Sequence, residues 1–199
     1  LTGYGRPESF RKVLVAPHYM RDGILDEIDK TVVAHQAGKP ARIVLKMNAL
    51  VDGQIIRALY DASQLGVQVD LNVRGICCLR PGVPGISENI RVISVLGRFL
   101  EHSRIYAFFR GDDQMVYIGS ADLMPRNLDN RVELIAPVED VNLRRELIDT
   151  LERCLADNTG AWTLDESGDW TKLSCENQPV RSVQREMMEL HRERTADSV

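Results

Sequence analysis

Apolar and polar positions in the first 74 residues alternate between two spacings. Short apolar runs at residues 13–17, 42–46 and 67–74 have the length and residue types of strands. Between them, apolar residues recur every three to four positions, as on one face of a helix: Ile24, Leu25, Ile28 and Val32 before Gly38, and Ile55, Ile56, Leu59 and Tyr60 before Gly66, with Asn48 or Asp52 as the cap of the second helix. This order predicts a βαβαβ layer with a largely parallel sheet.

The pattern changes after residue 90. Apolar runs at residues 91–96, 105–109, 115–118 and 131–135 predict four more strands, and we expect the second and third to pair as a hairpin. The sheet is therefore predicted to be mixed. Asp140 starts a predicted amphipathic helix, residues 156–174 are predicted to be irregular, and residues 180–195 are predicted to form a charged, mostly exposed helix.

These elements predict one α/β domain over residues 1–175, followed by a helical tail over residues 176–199. No stretch is long and apolar enough to cross a membrane, although peripheral association with one is compatible with the sequence. The four cysteines form no CxxC pair, which favours reduced thiols in a cytoplasmic protein. The chain starts with neither Met nor a signal peptide, so we expect it to be part of a longer protein.

The charges are distributed unevenly along the chain. Residues 132–199 carry seven more acidic than basic side chains, whereas residues 42–131 carry two more basic than acidic ones. A nucleic-acid surface needs a broad basic face, which this distribution does not provide. The charges therefore predict a small, focused anion site in the middle of the chain and no nucleic-acid partner.

The residues with the most distinctive chemistry lie between Glu101 and Asn127. This stretch brings together an imidazole, a guanidinium, a hydroxyl and a carboxamide: His102, Arg104, Ser120 and Asn127. If the predicted hairpin forms, His102 comes near Ser120. Such a group suits an anionic ligand such as a phosphate, although an isolated histidine after a strand is more often a structural hydrogen-bonding residue.

Three more cations lie at or near the predicted C-terminal ends of parallel strands, where ligands of such sheets bind. They are Lys46, Arg74 and Arg80. Arg74 ends an apolar strand, and a buried charge there needs a partner. That partner is either a carboxylate, Glu88 or Glu101, or a phosphate held by the guanidinium. Asp122 and Asp129 could bind a metal, but their spacing does not favour it.

Five segments resemble a known family. They are residues 73–77, 79–85, 87–92, 97–104 and 120–129, and they are similar to the C-terminal catalytic region of bacterial polyphosphate kinases of the type related to phospholipase D. The resemblance covers roughly residues 1–173. It implies a phospholipase-D-like mixed sheet flanked by helices, and it identifies this chain with the last of four domains.

The resemblance also implies an activity. The family reversibly transfers the terminal phosphate of ATP to inorganic polyphosphate through a phosphohistidine, which belongs to a preceding catalytic domain outside this chain. His102 matches the second essential histidine, and Arg74 matches an arginine that binds the nucleotide phosphates. Mg²⁺ is expected to arrive with ATP, its protein ligands lying outside this chain. The implied partners are ATP, ADP, polyphosphate, the remaining domains and further copies in a homo-oligomer.

The sequence departs from the phospholipase D signature HxKxxxxD. Arg104 replaces the lysine, and Phe108 is taken here as the replacement for the aspartate, whereas Gly119, Ser120 and Asn127 fit the later part of the signature. Loss of the carboxylate favours phosphoryl transfer over diester hydrolysis. Arg104 and Lys46 are then expected to bind polyphosphate or to balance charge. A phosphodiesterase half-site and a polyanion-binding module without catalysis remain as alternatives.

Overall fold

The structure, a computed structural model, describes residues 10–196, and the strands within that range form one mixed sheet. In chain order the strands are β1 (Leu14–Ala16), β2 (Ala41–Met47), β3 (Gln68–Val73), β4 (Ile90–Val95), β5 (Arg104–Arg110), β6 (Asp113–Gly119), β7 (Glu133–Pro137), β8 (Ala161–Leu164) and β9 (Trp170–Lys172). Across the sheet they follow the order β1-β7-β6-β5-β2-β3-β4-β8-β9. Strands β2, β3 and β4 run parallel at the centre, and every other pair is antiparallel.

Helices cover both faces of the sheet. They are α1 (Met20–Gln36), α2 (Gly53–Gln64), α3 (Val141–Ala156) and α4 (Val183–Ala196). Alternate residues of β2 point to opposite faces: Ile43 and Leu45 share a core with α1 and α2, whereas Val44 shares a second core with α3 and α4. The predicted fold class, a phospholipase-D-like mixed sheet flanked by helices, is confirmed.

The predicted βαβαβ layer and the β5–β6 hairpin are both present. Of the two candidate caps for α2, Asp52 is the one used: its Oδ1 accepts hydrogen bonds from the backbone N–H groups of Gln54 and Ile55, both at 3.1 Å. Asn48 is instead bonded to Asp122. The helix predicted from Asp140 forms as α3, and Asp140 caps it.

One local prediction is wrong. Residues 156–174 were expected to be irregular, but they contain β8 and β9, which extend the sheet beyond β4. Both strands are very short, and β8 gains its hydrogen bonds from β4, which is distant along the chain. A short strand whose partner is distant leaves little periodicity in its own sequence, so local pattern does not detect it.

The last helix lies against the body of the domain along one side. Val183 is buried in the core with α3, and Arg153 of α3 pairs with Glu186 at 2.7 Å, while most of the remaining α4 side chains are exposed. The division between a domain at 1–175 and a tail at 176–199 stays a prediction. No helix within residues 10–196 has the length and apolar character that spanning a membrane requires.

Candidate active site

The candidate site lies at the edge of the sheet where β2 and β3 end and β5 begins. Lys46 on β2 is in register with Asn72 on β3 and with Ile105 on β5. Because β5 runs antiparallel to β2, its first residue, Arg104, lies beside the end of β2. Topology therefore brings Lys46, Arg74 and Arg104 to one edge from three separate parts of the sequence.

Backbone hydrogen bonds between the loops fix this edge. The N–H of Leu50, after β2, donates to the carbonyl of Ile76 at 2.9 Å, and the N–H of Leu123, after β6, donates to the carbonyl of Ala49 at 3.1 Å. The three loops are thus joined by main-chain contacts rather than by exposed side chains. A site built on loops that are tied together in this way keeps its geometry without a ligand.

His102 and Arg74 are neighbours. The Arg74 Nη1 atom lies 3.4 Å from Nδ1 of His102 and donates to the carbonyl oxygen of Glu101 at 3.0 Å. Because arginine has no acceptor, this contact is a hydrogen bond in the tautomer of His102 whose Nδ1 atom accepts. His102 is exposed and Arg74 is half-buried. A cleft of about 290 Å³ opens beside them, lined by Arg74 and residues 95–101.

Neither expected carboxylate pairs with Arg74. Glu101 meets it only through the main-chain carbonyl, and the Glu88 carboxylate accepts from the N–H of Gly85 at 2.8 Å. Within residues 10–196 no carboxylate lies within ion-pair distance of Arg74. The guanidinium is therefore held in place by neutral acceptors, with its charge uncompensated.

Lys46, unlike Arg74, is buried and paired with a carboxylate. Its side chain is 3% exposed, and its Nζ atom lies 3.1 Å from Oε2 of Glu101 and 2.9 Å from Oγ of Ser103. A buried ammonium requires a counter-ion, and Glu101 provides it. Lys46 thereby anchors the residues on both sides of His102.

Arg104 forms a bidentate ion pair with Asp122. Its Nε and Nη2 atoms lie 3.1 and 3.0 Å from the two carboxylate oxygens, and its Nη1 atom donates to the carbonyl of His102 at 2.9 Å. Burial opposes ionisation of Asp122, but the hydrogen bonds from Arg104 and Asn48 outweigh it and lower the pKa of this carboxyl. Asp122 is therefore the partner of Arg104, a role that the sequence did not suggest.

Ser120 and Asn127 form a separate cluster. Both donate to the carboxylate of Glu133, Ser120 through Oγ and Asn127 through Nδ2 at 2.7 Å. The predicted hairpin forms and pairs Arg104 with Gly119, but the Ser120 hydroxyl donates to Glu133 and not to His102. The stretch that the sequence presented as one constellation thus forms two hydrogen-bonded groups.

Other candidate residues lie outside these groups. The Arg80 guanidinium is beside Gly168, at the β8–β9 turn. Asp129 forms an ion pair with Arg21. Among the residues that the structure describes, no three His, Cys, Asp or Glu side chains are grouped to hold a metal ion.

The residue at the aspartate position of the phospholipase D signature is one position later than the sequence analysis stated. In HxKxxxxD the aspartate falls seven positions after the histidine, which here is Phe109 and not Phe108. Phe108 is buried in the core with α1 and α2, and Phe109 packs against the opposite core. Either position is apolar, so the absence of that carboxylate stands.

Comparison with known proteins identifies the family. The sequence model described as "Polyphosphate kinase C-terminal domain 2" matches residues 13–184. The polyphosphate kinase of Streptomyces coelicolor is 49% identical over 196 residues, which cover 98% of this chain and 26% of the relative. That of Thermosynechococcus vestitus is 57% identical over 168 residues, covering 84% of this chain and 23% of the relative. The chain thus spans about a quarter of the length of the relatives it matches.

Solved structures agree. The crystal structure of polyphosphate kinase from Porphyromonas gingivalis has a TM-score of 0.90 and 40% identity, covering 96% of this chain and 29% of that one. Nuc from Salmonella typhimurium, a phospholipase D family member, has a TM-score of 0.57 at 15% identity and covers 77% of this chain and 97% of its own, a likeness of fold alone. By its sequence and its fold, this chain belongs to the polyphosphate kinase C-terminal domain 2 family.

Proposed function

We propose that this chain supplies one half of the active site of an ATP:polyphosphate phosphotransferase. The observation that carries the proposal is the Arg74–His102 pair: an uncompensated guanidinium 3.4 Å from an exposed imidazole, in a chain of the polyphosphate kinase family. Phosphoryl transfer depends on positioned cations more than on covalent chemistry from the protein. The other half, with the phosphohistidine, belongs to a preceding domain.

In the proposed mechanism Arg74 holds the nucleotide phosphates, and His102 stabilises or protonates the leaving oxygen. Nη1 of Arg74 and Nδ1 of His102 lie 3.4 Å apart, so a phosphate oxygen that enters between the two side chains can accept from both. In this proposal His102 acts on the substrate as the imidazolium.

Lys46 and Arg104 support this pair in the proposal. Lys46 binds Glu101 and Ser103, and Arg104 binds the carbonyl of His102, so the histidine is held from both sides. Each cation is already paired with a carboxylate. Their role is to fix the position of His102 and to balance charge, with polyphosphate contacts secondary.

Magnesium does not fit the carboxylates of this half-site. Both oxygens of Asp122 are bonded to Arg104, both oxygens of Glu101 are bonded, to Lys46 and Gln184, and Asp129 is paired with Arg21. A metal would have to displace these cations. If Mg²⁺ takes part, it arrives with ATP and is held by phosphate oxygens or by groups outside this chain.

A chimaera tests the proposal. This chain replaces the matching region of the Streptomyces coelicolor polyphosphate kinase, and polyphosphate synthesis from ATP is measured for the chimaera and for the isolated chain. The chimaera is expected to be active and the isolated chain inactive. His102→Ala in the chimaera should lower kcat by about 10²–10⁴-fold, whereas His18→Ala, at an exposed histidine between β1 and α1, should not.

Other outcomes point elsewhere. Polyphosphate synthesis by the isolated chain, or a loss below about tenfold in His102→Ala, would contradict the proposal. Hydrolysis of a simple phosphodiester by the isolated chain would favour the phosphodiesterase reading. Binding of ATP or polyphosphate that is unaffected by His102→Ala, together with an inactive chimaera, would favour a module that only binds polyanions.

A further inference from the structure

The loop that leads into His102 has few partners of its own. Residues 97–100 connect β4 to the histidine and are exposed. Exposed irregular segments lose their geometry unless their polar backbone groups are held. In this loop both main-chain groups of Phe99 are held by a single side chain from a distant helix, Gln184 of α4.

Gln184 makes three hydrogen bonds to Phe99 and Glu101. Its Oε1 atom accepts from the N–H of Phe99 at 3.0 Å, and its Nε2 atom donates to the carbonyl of Phe99 at 2.9 Å and to Oε1 of Glu101 at 2.9 Å. A primary amide has two N–H donors, and both are engaged. The carboxamide therefore replaces a strand partner for Phe99 and also orients Glu101.

The same carboxamide lies directly against Gly97. A Cβ atom at residue 97 would be 2.5 Å from Oε1 of Gln184. The amide could move away from such an atom, but only by leaving Phe99 and Glu101. Glycine at position 97 thus leaves room for the Gln184 carboxamide in its present position.

Glu101 connects Gln184 with the cations of the site. The second carboxylate oxygen of Glu101 is the one that pairs with Lys46, and the carbonyl of Glu101 accepts from Arg74. Glu101 directly precedes His102. Its position therefore depends on three side chains, Gln184, Lys46 and Arg74, of which Gln184 alone lies outside the strand edge that forms the site.

The residues on both sides of Gln184 are held by other parts of the domain. The N–H of Val183 donates to Oδ2 of Asp157 at 2.8 Å, and the Val183 side chain is 3% exposed in the core with α3. Glu186, one turn later, pairs with Arg153 and Arg181. The start of α4 is therefore rigidly docked, independently of the loop that Gln184 holds.

We infer that Gln184 is a positioning residue for the reaction: through Phe99 and Glu101 it sets the geometry of His102 against Arg74. This inference rests on the proposed function. Small displacements of a reacting group caused by distant substitutions can cost about a hundredfold in rate. In this inference the Gln184 side chain alone of the first turn of α4 serves the reaction, and it acts through Phe99 and Glu101.

The test compares two neighbouring substitutions on α4 in the chimaera. Gln184→Met keeps the length of the side chain and removes all three hydrogen bonds, whereas Val183→Ala removes core packing and keeps them. Gln184→Met should lower kcat about 10- to 100-fold, change the KM for ATP by less than about threefold, and leave Tm nearly unchanged. Val183→Ala should lower Tm more and kcat much less. Gly97→Ala should reproduce the Gln184→Met result.

A second measurement needs no activity. In the isolated chain, hydrogen exchange at the Phe99 amide should be slow in the wild type and in Val183→Ala, and fast in Gln184→Met. An inactive wild-type chimaera would contradict the proposed function. The exchange data would still show whether Gln184 holds the backbone of Phe99. An active wild type with unchanged kcat in Gln184→Met, or equal kcat losses in both α4 variants, would overturn the positioning role.

Discussion

At the scale of single residues, the site depends on which charges are paired. The sequence indicated His102, Arg74, Arg104 and Lys46 because they stand at strand ends, and topology does bring them to one edge. It did not indicate their partners correctly, since neither Glu88 nor Glu101, the carboxylates suggested for Arg74, pairs with it. Whether a carboxylate pairs with a given cation depends on side-chain direction across the sheet, which spacing along the chain does not determine.

The Arg104–Asp122 pair gives a prediction at this scale. The side chains are only 13% and 8% exposed, so removing one charge leaves the other buried. Asp122→Asn should lower the free energy of unfolding at pH 7 by about 3–5 kcal/mol, measured by urea titration. Asp149→Asn, which breaks the exposed pair with Arg153, should cost less than about 1 kcal/mol.

The pH dependence of that loss follows from the lowered pKa of Asp122. A carboxyl whose pKa is lower in the folded than in the unfolded state stabilises the protein above its unfolded pKa and loses that contribution as pH falls through the folded value. The gap between wild type and Asp122→Asn should therefore stay constant from pH 7 to about pH 5 and narrow below about pH 4. A gap that widens on acidification would contradict this assignment.

At the scale of elements, the local sequence predicted each helix or strand that has its own periodicity, cap or neighbouring partner along the chain. The helices α1 to α3 and the β5–β6 hairpin have periodicity, caps or adjacent partners along the chain. The strands β8 and β9 have none of these, since β8 depends on β4. Gln184 was missed for a related reason: its loop partners lie more than 80 positions away, at Phe99 and Glu101.

The two aspartate caps provide a prediction at this scale. Asp52 caps α2 and is also paired with Arg21 while 5% exposed, whereas Asp140 caps α3 on the surface. Asp140→Ala should cost about 1 kcal/mol of unfolding free energy, the value of a cap alone. Asp52→Ala should cost about 2–4 kcal/mol, because it removes the cap and also the charge-assisted hydrogen bonds from Arg21, which keeps Asp129 as its partner. Equal losses in urea titrations would mean that the Arg21 contact contributes nothing.

At the scale of the whole molecule, acidic residues dominate the sequence after residue 131, while the cations of the site come from the middle of the chain. A net charge of −4 does not attract polyanions from a distance. If this chain binds a polyanion as proposed, we expect binding to depend on the few cations at the edge of the sheet. The charge distribution of the sequence predicts such a focused anion site, and this stays a prediction.

Calorimetry with tripolyphosphate checks that expectation. Arg74→Ala should weaken binding at least about tenfold, as expected for loss of charge-assisted hydrogen bonds worth ~1.5–3 kcal/mol. Arg57→Ala, at an exposed position of α2, should have little effect. Raising NaCl from about 50 to 200 mM should weaken wild-type binding about three- to tenfold. Equal losses in the two variants would indicate a diffuse surface instead of a site.

Lys46 is paired with Glu101 and Arg104 with Asp122. These pairs affect how strongly the site attracts small anions from the surrounding solution. A cluster of three unpaired cations, Lys46, Arg74 and Arg104, would attract chloride and orthophosphate strongly and would release a highly charged product slowly. With two of the three neutralised by carboxylates of the same chain, we expect the resting site to compete poorly for such ions. On the proposed function, the substrate phosphates then depend mainly on Arg74 and His102, and we expect so few contacts to let a charged product depart.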